Sequence, residues 1–329
     1  MIPSTLPMST PHKIQKYWDW FLVVVINFMW ATQVPVIRLI GDRLGALTLA
    51  YVPMILSTAL FLPVFCYQRR GRETKLLWHW KDARHFFLAG FFGVFLMQFL
   101  YTLGSRWTLA ANAGIITLTI PVTVALFASI FLKEKLNAIR IVSFVLALLG
   151  VLMTSIPDLR SADFRHSQYL AGNLVFLLAC LCCGFFNTYC KLLVDKKYTE
   201  LQILVYTSII GSLGSLPLLA WMEPFRFSEF VQKGPVAVWG TLELSLIVYG
   251  VSMLLFFHVL KRMDVTQAIL GNYLLPLFIA LLGIVLLKES ITGLMLLGGA
   301  IILVSTLMVT VYEADLLRWL DLWKERRAP

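Results

Sequence analysis

The chain contains ten long apolar runs, and this feature limits its possible folds more than any other. Each run has about 20 residues, the length that an α-helix needs to cross the roughly 30 Å hydrocarbon core of a bilayer. The runs occupy residues 20–40, 46–67, 86–105, 111–132, 139–156, 170–190, 201–221, 236–259, 265–287 and 293–312. The strands of a membrane barrel would alternate apolar and polar residues, and these runs do not. The sequence therefore predicts an all-α polytopic membrane protein with ten transmembrane helices.

Composition supports the bilayer as the solvent of this chain. Of its 329 residues, 59% are hydrophobic and 14% are charged, whereas soluble domains carry about 25% charged residues. The net charge of +10 does not indicate a nucleic-acid partner, because the basic residues lie in short segments between the apolar runs. We therefore expect a lipid bilayer, and not nucleic acid, as the surrounding partner.

The distribution of lysine and arginine predicts the orientation. With the N-terminus in the cytoplasm, the inside segments hold 20 of these residues and the outside segments hold 8. The positive-inside rule then favours a cytoplasmic (inner) membrane protein with both termini in the cytoplasm. The first run includes Pro35 and Arg38 and lacks a small-residue cleavage site, so we interpret it as a retained span and not as a signal peptide. Residues 313–329 form either an amphipathic helix on the inner interface or a snorkelling end of the last span.

An internal repeat relates the two halves of the chain. A gapless shift of 155 residues aligns the fourth and fifth runs with the ninth and tenth. The aligned pairs are Pro121 with Pro276, Thr117 with Asn272, and Leu132–Glu134 with Leu287–Glu289. A weaker match, at a shift of 153, aligns Arg38 in the first run with Lys191 in the sixth. These two cations either face the protein interior or snorkel to the membrane interface.

The repeat predicts two inverted halves, since five is an odd number of crossings. The expected organisation is a cytoplasmic N-terminal segment (1–19), a five-helix repeat (20–156), a linker loop (157–169), a second five-helix repeat (170–312) and a cytoplasmic tail (313–329). Such duplication is a hallmark of secondary transporters, whose substrate site lies near the midplane between the halves. The duplication is also compatible with a monomer, because one chain supplies both halves.

The paired prolines predict where the substrate cavity lies. Pro121 and Pro276 each lack an N–H, which frees the carbonyl groups of Thr117 and Asn272 four residues earlier. Free polar backbone at membrane depth is tolerated where it lines a wet cavity or is buried in protein. We expect a cavity at this level, with packing kinks as the alternative. The other polar or aromatic residues expected to line it are Asn27, Trp30, Gln98, Tyr101, Asn187 and Tyr249.

Glu243 is the one acidic residue well inside a run. An intramembrane carboxylate is by default a functional hypothesis, and here it suggests proton coupling. A structural hydrogen bond to a neighbouring helix is the alternative. On a straight α-helix Glu243 shares a face with Gly250 and lies opposite Tyr249.

Signatures of enzymes and of bound cofactors are missing from the sequence. It contains no His-Glu-x-x-His, no Gly-x-x-x-x-Gly-Lys and no Gly-x-Ser-x-Gly pattern. The five cysteines lie in or at the ends of apolar runs, without the spacing of zinc ligands. We therefore expect no catalytic residue, no metal and no cofactor.

The repeated motif resembles the EamA-type branch of the drug/metabolite transporter superfamily. The motif is Ala-Ala-Asn-Ala at 110–113, then Pro121, then Leu-Lys-Glu-Lys-Leu at 132–136, and the second copy carries Pro276 and Leu-Lys-Glu-Ser-Ile at 287–291. The segment from Trp30 to Arg38 is similar to the tryptophan-then-cation pattern of the family's first span. The family often has Glu-Pro at the kink. This chain has Ile120-Pro121 and Leu275-Pro276 instead, so a role of that acid cannot be carried over.

The resemblance implies a transporter of ten spans around a central cavity. Family members move amino acids, other metabolites, nucleotide sugars or drugs, many of them outward. The expected function is therefore efflux of a small organic metabolite by alternating access of the two halves. A membrane-embedded enzyme acting on lipid and a non-transporting sensor or scaffold are the alternatives.

Overall fold

The chain folds into apolar helices, as shown by a computed structural model that describes residues 10–70, 80–132, 137–154, 167–196, 198–260, 273–312, 315, 316 and 318. In chain order the α-helices are α1 (Thr10–Ala31), α2 (Gln33–Ile40), α3 (Ala46–Arg70), α4 (Ala83–Gly90), α5 (Met97–Trp107), α6 (Ala110–Thr117), α7 (Ile120–Phe131), α8 (Ala138–Thr154), α9 (Ser167–Asp195), α10 (Glu200–Met222), α11 (Phe227–Gln232), α12 (Pro235–Glu243), α13 (Ser252–Leu260), α14 (Leu274–Leu287) and α15 (Gly293–Thr310). No strand occurs within these residues, and the all-α prediction is confirmed.

Seven helical segments are long and apolar enough to span a membrane within the described part of the chain. They are Trp18–Ile40, Ala46–Tyr67, Ala83–Trp107, Ala110–Phe131, Gln168–Asp195, Leu201–Met222 and Pro235–Phe256. The three remaining predicted runs contain the shorter apolar helices Ala138–Thr154, Leu274–Leu287 and Gly293–Met308. The multi-pass membrane prediction is confirmed, while the count of ten spans stays a prediction.

Several predicted features fall outside the described residues. They are the first nine residues, Lys133-Glu134, most of the loop 157–169, Asn272, and most of the C-terminal tail.

Two of the membrane segments contain a π-helical stretch. Phe91–Leu96 joins α4 to α5, and Leu244–Val251 joins α12 to α13. A π-helical turn contains more residues than an α-helical turn, so it rotates the following side chains relative to the preceding ones. The faces of these two segments therefore cannot be derived from a period of 3.6 residues.

Small residues allow α8 and α15 to pack with their backbones in close contact. A β-carbon on Gly150 would lie 2.8 Å from the carbonyl oxygen of Gly298, and one on Gly298 would lie 2.6 Å from the carbonyl oxygen of Gly150. Between membrane helices, dispersion contacts of this kind replace the hydrophobic drive that operates in water. This pair fixes the fifth predicted span against the tenth.

The other main contacts join helices that are distant in the chain. Helix α6 packs on α14, and α3 packs on α10. Helix α9 contacts α5 and α7, while α1 contacts α13 and α14.

An ion pair connects the start of the third predicted span to the end of the sixth. The Lys196 ammonium and the Tyr198 hydroxyl both donate to the Asp82 carboxylate, the latter over 3.0 Å. The hydrogen bond from Lys196 holds the pKa of the Asp82 carboxyl below its usual value.

Candidate functional site

The first membrane segment contains a break in its helix, and polar side chains lie at this break. Helix α1 ends at Ala31 and α2 begins at Gln33, with Thr32 as a turn between them. Pro35 lies in the first turn of α2, where a missing N–H is tolerated, and it cannot donate to the carbonyl group of Ala31. The break therefore follows from the sequence and places Thr32 and Gln33 side by side.

Glu243 contacts this break. Its Oε1 atom is hydrogen-bonded to the hydroxyl group of Thr32, while its Oε2 atom is buried and has no hydrogen-bond partner in the described part of the chain. The Thr32 hydroxyl also lies 2.7 Å from the carbonyl oxygen of Met29. A hydroxyl group has one hydrogen. Thr32 donates this hydrogen to Glu243 Oε1 or to Met29, or shares it between them, and a protonated Glu243 can in turn donate to Thr32.

Tyr249 connects three membrane segments. Its hydroxyl oxygen accepts a hydrogen bond from Gln33 Nε2 over 2.7 Å and another from Gln98 Nε2. Gln33 is 9% exposed and Gln98 is 5% exposed, so both amides are withdrawn from the lipid-facing surface. We name Thr32, Gln33, Gln98, Glu243 and Tyr249 the Tyr249 cluster.

The relation between Glu243 and Tyr249 corrects the sequence analysis. A straight α-helix would place them on opposite faces, but Glu243 contacts Thr32 and Tyr249 contacts the adjacent Gln33. The physical reason is the π-helical stretch Leu244–Val251, which begins directly after Glu243.

Two other predicted residues lie on α1, within two turns of the break. Asn27 is 1% exposed; its Nδ2 donates to the carbonyl oxygen of Val23 over 2.9 Å, and its Oδ1 has no partner among the described residues. Trp30 packs edge-on against Phe256 with ring centroids 5.2 Å apart. Tyr101, on α5, packs against Phe176 at 4.7 Å.

The residues around the paired prolines have local contacts. The Thr117 hydroxyl donates to the carbonyl oxygen of Gly114 over 2.6 Å, within α6. Pro121 lies in the first turn of α7, after the turn Leu118–Thr119 that separates it from α6. Pro276 lies in α14, and its carbonyl oxygen would be 3.0 Å from a β-carbon on Gly114. Thus the two proline-bearing segments touch at this level.

Asn187 and Asn272 do not join the Tyr249 cluster in the described structure. Asn187 is exposed and donates to the Cys183 sulfur over 3.5 Å. Asn272 lies outside the described residues. The structure thus brings together Gln98, Tyr249 and Glu243 from the predicted set and adds Thr32 and Gln33, which sequence reasoning missed. Pro35 was the available signal, because a proline frees the carbonyl group four residues earlier.

A metal ion has no evident ligand set at this site. The described residues contain no group of three or more histidine, cysteine, aspartate or glutamate side chains that could hold one. The cluster presents amide, hydroxyl and carboxyl groups, which suit hydrogen bonding to a polar organic molecule.

Proteins of known sequence and structure are similar to this chain over most of its length. An uncharacterized transporter of Archaeoglobus fulgidus is 22% identical over 88% of this chain and 98% of its own. A probable terminal-alkyne amino-acid exporter of Streptantibioticus cattleyicolor is 24% identical over 88% of this chain and 92% of its own. A crystal structure of a protein that is 16% identical shares the fold, with a TM-score of 0.58 over 89% of this chain and 96% of that one.

The family assignment follows from the sequence profile that matches the chain twice. The profile of the EamA-like transporter family matches residues 18–156 and again residues 170–311. Together the two matches cover more than half of the chain, and the relatives above are named as transporters and not as enzymes. The chain belongs to the EamA-like transporter family.

Proposed function

We propose that the chain is a secondary transporter that exports a small organic metabolite, such as an amino acid, by alternating access. The Tyr249 cluster is the observation that carries this proposal. Polar side chains at membrane depth cost several kcal/mol when they have no partner, and here they gather from three segments around a helix break. This is the construction that discontinuous helices give to the substrate sites of secondary transporters.

The helix contacts support two inverted halves of five spans. Helix α1, in the first span, contacts α13 and α14 in the eighth and ninth spans. The equivalent spans of the other half are the sixth, third and fourth, and there α9 contacts α5 and α7 in the same way. The two π-helical stretches also occupy equivalent positions in the halves. They begin at Phe91 and Leu244, which are 153 residues apart, the same shift that aligns the first run with the sixth. The two family matches have nearly the predicted bounds of the halves. Since one chain supplies both halves, we take the monomer as the transporting unit.

The chemistry of the cluster favours a polar substrate that both donates and accepts hydrogen bonds. Tyr249 accepts two hydrogen bonds through its oxygen, which leaves its own hydrogen available to a substrate acceptor. The free Oε2 of Glu243 can accept from a substrate donor. An amino acid offers both kinds of group, and one relative is named as an amino-acid exporter.

Transport in proteoliposomes tests the proposed function. Purified protein is reconstituted, and a panel of radiolabelled amino acids and other small metabolites is offered with and without a pH gradient. We expect at least one compound to move faster than in protein-free liposomes, and unlabelled compound to accelerate exchange. No transport of any member of the panel, by protein that remains monodisperse, contradicts the proposal.

Reporter fusions test the proposed topology. Because the cation distribution favours cytoplasmic termini, fusions after residues 75, 160, 195 and 329 are expected to report inside, outside, inside and inside. The measurement pairs a fluorescent reporter, active in the cytoplasm, with a phosphatase that is active outside. A phosphatase signal at residue 75 would reverse the orientation.

A further inference from the structure

A largely buried ion pair joins the ends of the first and ninth predicted spans. The Glu289 carboxylate accepts a hydrogen bond from Arg38 Nη1 over 2.6 Å, and the Glu289 side chain is 5% exposed. Arg38 also donates to the carbonyl oxygen of Thr108, just before α6. Surface ion pairs contribute little to stability, whereas a desolvated pair with several hydrogen bonds is costly to break at one end.

The same carboxylate caps the N-terminus of α6. The backbone N–H groups of Ala110 and Ala111 donate to its two oxygens over 2.9 and 3.1 Å. Negative charge is favourable at a helix N-terminus, where the first N–H groups have no partner within the helix. Glu289 therefore binds three segments together: its own, the end of α2 and the start of α6.

The backbone around Glu289 is shaped to place the carboxylate there. Lys288 ends α14 in the left-handed region, with φ of 58°, and it is the one described non-glycine residue with positive φ. The N–H of Glu289 then donates to the carbonyl oxygen of Gly283 over 3.2 Å. A β-carbon on Gly283 would lie 3.0 Å from Glu289 Oε2. The strained Lys288 and the small Gly283 thus hold the Glu289 carboxylate in place. Strain of this kind is concentrated at functional sites, which indicates that Glu289 does more than end a helix.

In this arrangement of the three segments, the side-chain amide of Asn112 has no hydrogen bond within the described structure. Asn112 lies two residues beyond Ala110 on α6, so it is deeper in the membrane by about 3 Å. It is 1% exposed, and neither its Nδ2 nor its Oδ1 has a partner in the described structure. Burial of an unsatisfied amide opposes the closed state. When the ends of the three segments separate, water or substrate can reach it.

We propose that Arg38, Glu289 and the N-terminus of α6 form a latch that closes the extracytoplasmic side of the transporter, and that Asn112 opposes it. The latch is held by charged hydrogen bonds and opposed by an unsatisfied amide, so the closed state is favoured, but loss of one charged partner is enough to populate the open state. Opening separates the ends of α2, α6 and α14. The inference rests on the proposed function and orientation, but the distance test below requires no transported substrate.

Spin-label distances across the latch test this proposal. In a chain whose five cysteines are replaced, labels are attached at Leu39→Cys and Ile291→Cys, two exposed positions beside the latch residues. We expect one short distance in the parent chain. We expect Glu289→Gln to add a population longer by about 5 Å, the scale of one-turn helix shifts. Adding Asn112→Leu to Glu289→Gln should reduce that population at least about twofold, because the apolar side chain removes the opposing force.

A second variant and a matched control separate the latch from general destabilisation. Arg38→Gln leaves Glu289 on the helix N-terminus and should also add the longer population. Glu229→Gln removes an exposed ion pair, since the side chains of Arg226 and Glu229 are 69% and 58% exposed; it should leave the distances unchanged. Unchanged distances in monodisperse Glu289→Gln and Arg38→Gln overturn the latch, whether or not the chain transports. Equal changes in Glu229→Gln also overturn it.

Discussion

Replacing Glu243 with glutamine is expected to abolish the response of transport to a pH gradient while exchange of substrate continues. Glutamine keeps the shape of the side chain and cannot release a proton. In the structure the Thr32 hydroxyl is within hydrogen-bond reach of both Glu243 Oε1 and the carbonyl oxygen of Met29, and a protonated Glu243 can donate to that hydroxyl. We therefore expect loss of that proton to change the contacts at the break in the first span.

The measurement compares uptake into proteoliposomes with and without an imposed pH gradient, beside exchange at equal pH. We expect at least about a tenfold loss of the gradient-dependent rate, equivalent to about 1.4 kcal/mol. Glu223→Gln is a matched control, because the Glu223 carboxylate accepts from the backbone N–H groups of Leu47 and Thr48 over 3.2 and 2.8 Å. The control should lower stability without changing gradient dependence.

A purely structural role for Glu243 predicts a different pattern. Gradient dependence would then stay as in the parent protein, and Glu243→Ala would lower the melting temperature through loss of the bond to Thr32. If both variants keep normal transport, gradient response and stability, Glu243 is neither coupled nor structural, and its placement well inside a membrane span is wrong.

The sequence predicts the fold well because one physical requirement dominates it. Backbone groups in a bilayer must find partners within a helix or a closed barrel, so ten apolar runs without alternation predict helices at once. Seven of these runs are helices long enough to span. The exact faces are less predictable, since the rotation introduced by the stretch Leu244–Val251 depends on packing against neighbours and has no local sequence signal.

The candidate site was predicted only in part, because irregular turns in the membrane helices decide which polar residues meet. Gln98, Tyr249 and Glu243 are rare polar residues in apolar runs, and composition alone is enough to find them. Their partner Gln33 required a prediction of the break in the first span. Pro35 frees the carbonyl group of Ala31 in the same way as Pro121 frees that of Thr117. The Thr117 hydroxyl bonds within its own helix, whereas the residues beside Ala31 contact Glu243 and Tyr249.

The first and sixth spans show that the repeat is imperfect where the site lies. The shift of 153 residues aligns Pro35 with Thr188, which has a backbone N–H. Accordingly α9 is continuous from Ser167 to Asp195, whereas the first span breaks at Thr32. The break therefore belongs to one half only, and it supplies two of the five members of the Tyr249 cluster.

Replacing Pro35 with alanine is expected to reduce transport at least about tenfold without lowering the melting temperature. Alanine restores an N–H that can donate to the carbonyl group of Ala31, so α1 and α2 can join into one helix. A proline inside a continuous helix costs about 3 kcal/mol or more, and its removal favours that regular helix. A regular helix turns Thr32 and Gln33 away from Glu243 and Tyr249, which removes both contacts at the break.

The assay measures exchange in proteoliposomes together with thermal unfolding of the purified variant. Pro63→Ala is the matched control, because Pro63 also lies inside a helix, α3, but is exposed and is not a member of the Tyr249 cluster. It should leave transport unchanged. Because the expected loss in Pro35→Ala accompanies equal or higher stability, misfolding cannot produce the same result. Full transport in a stable Pro35→Ala variant would show that the break in the first span is a packing feature and has no part in moving the substrate.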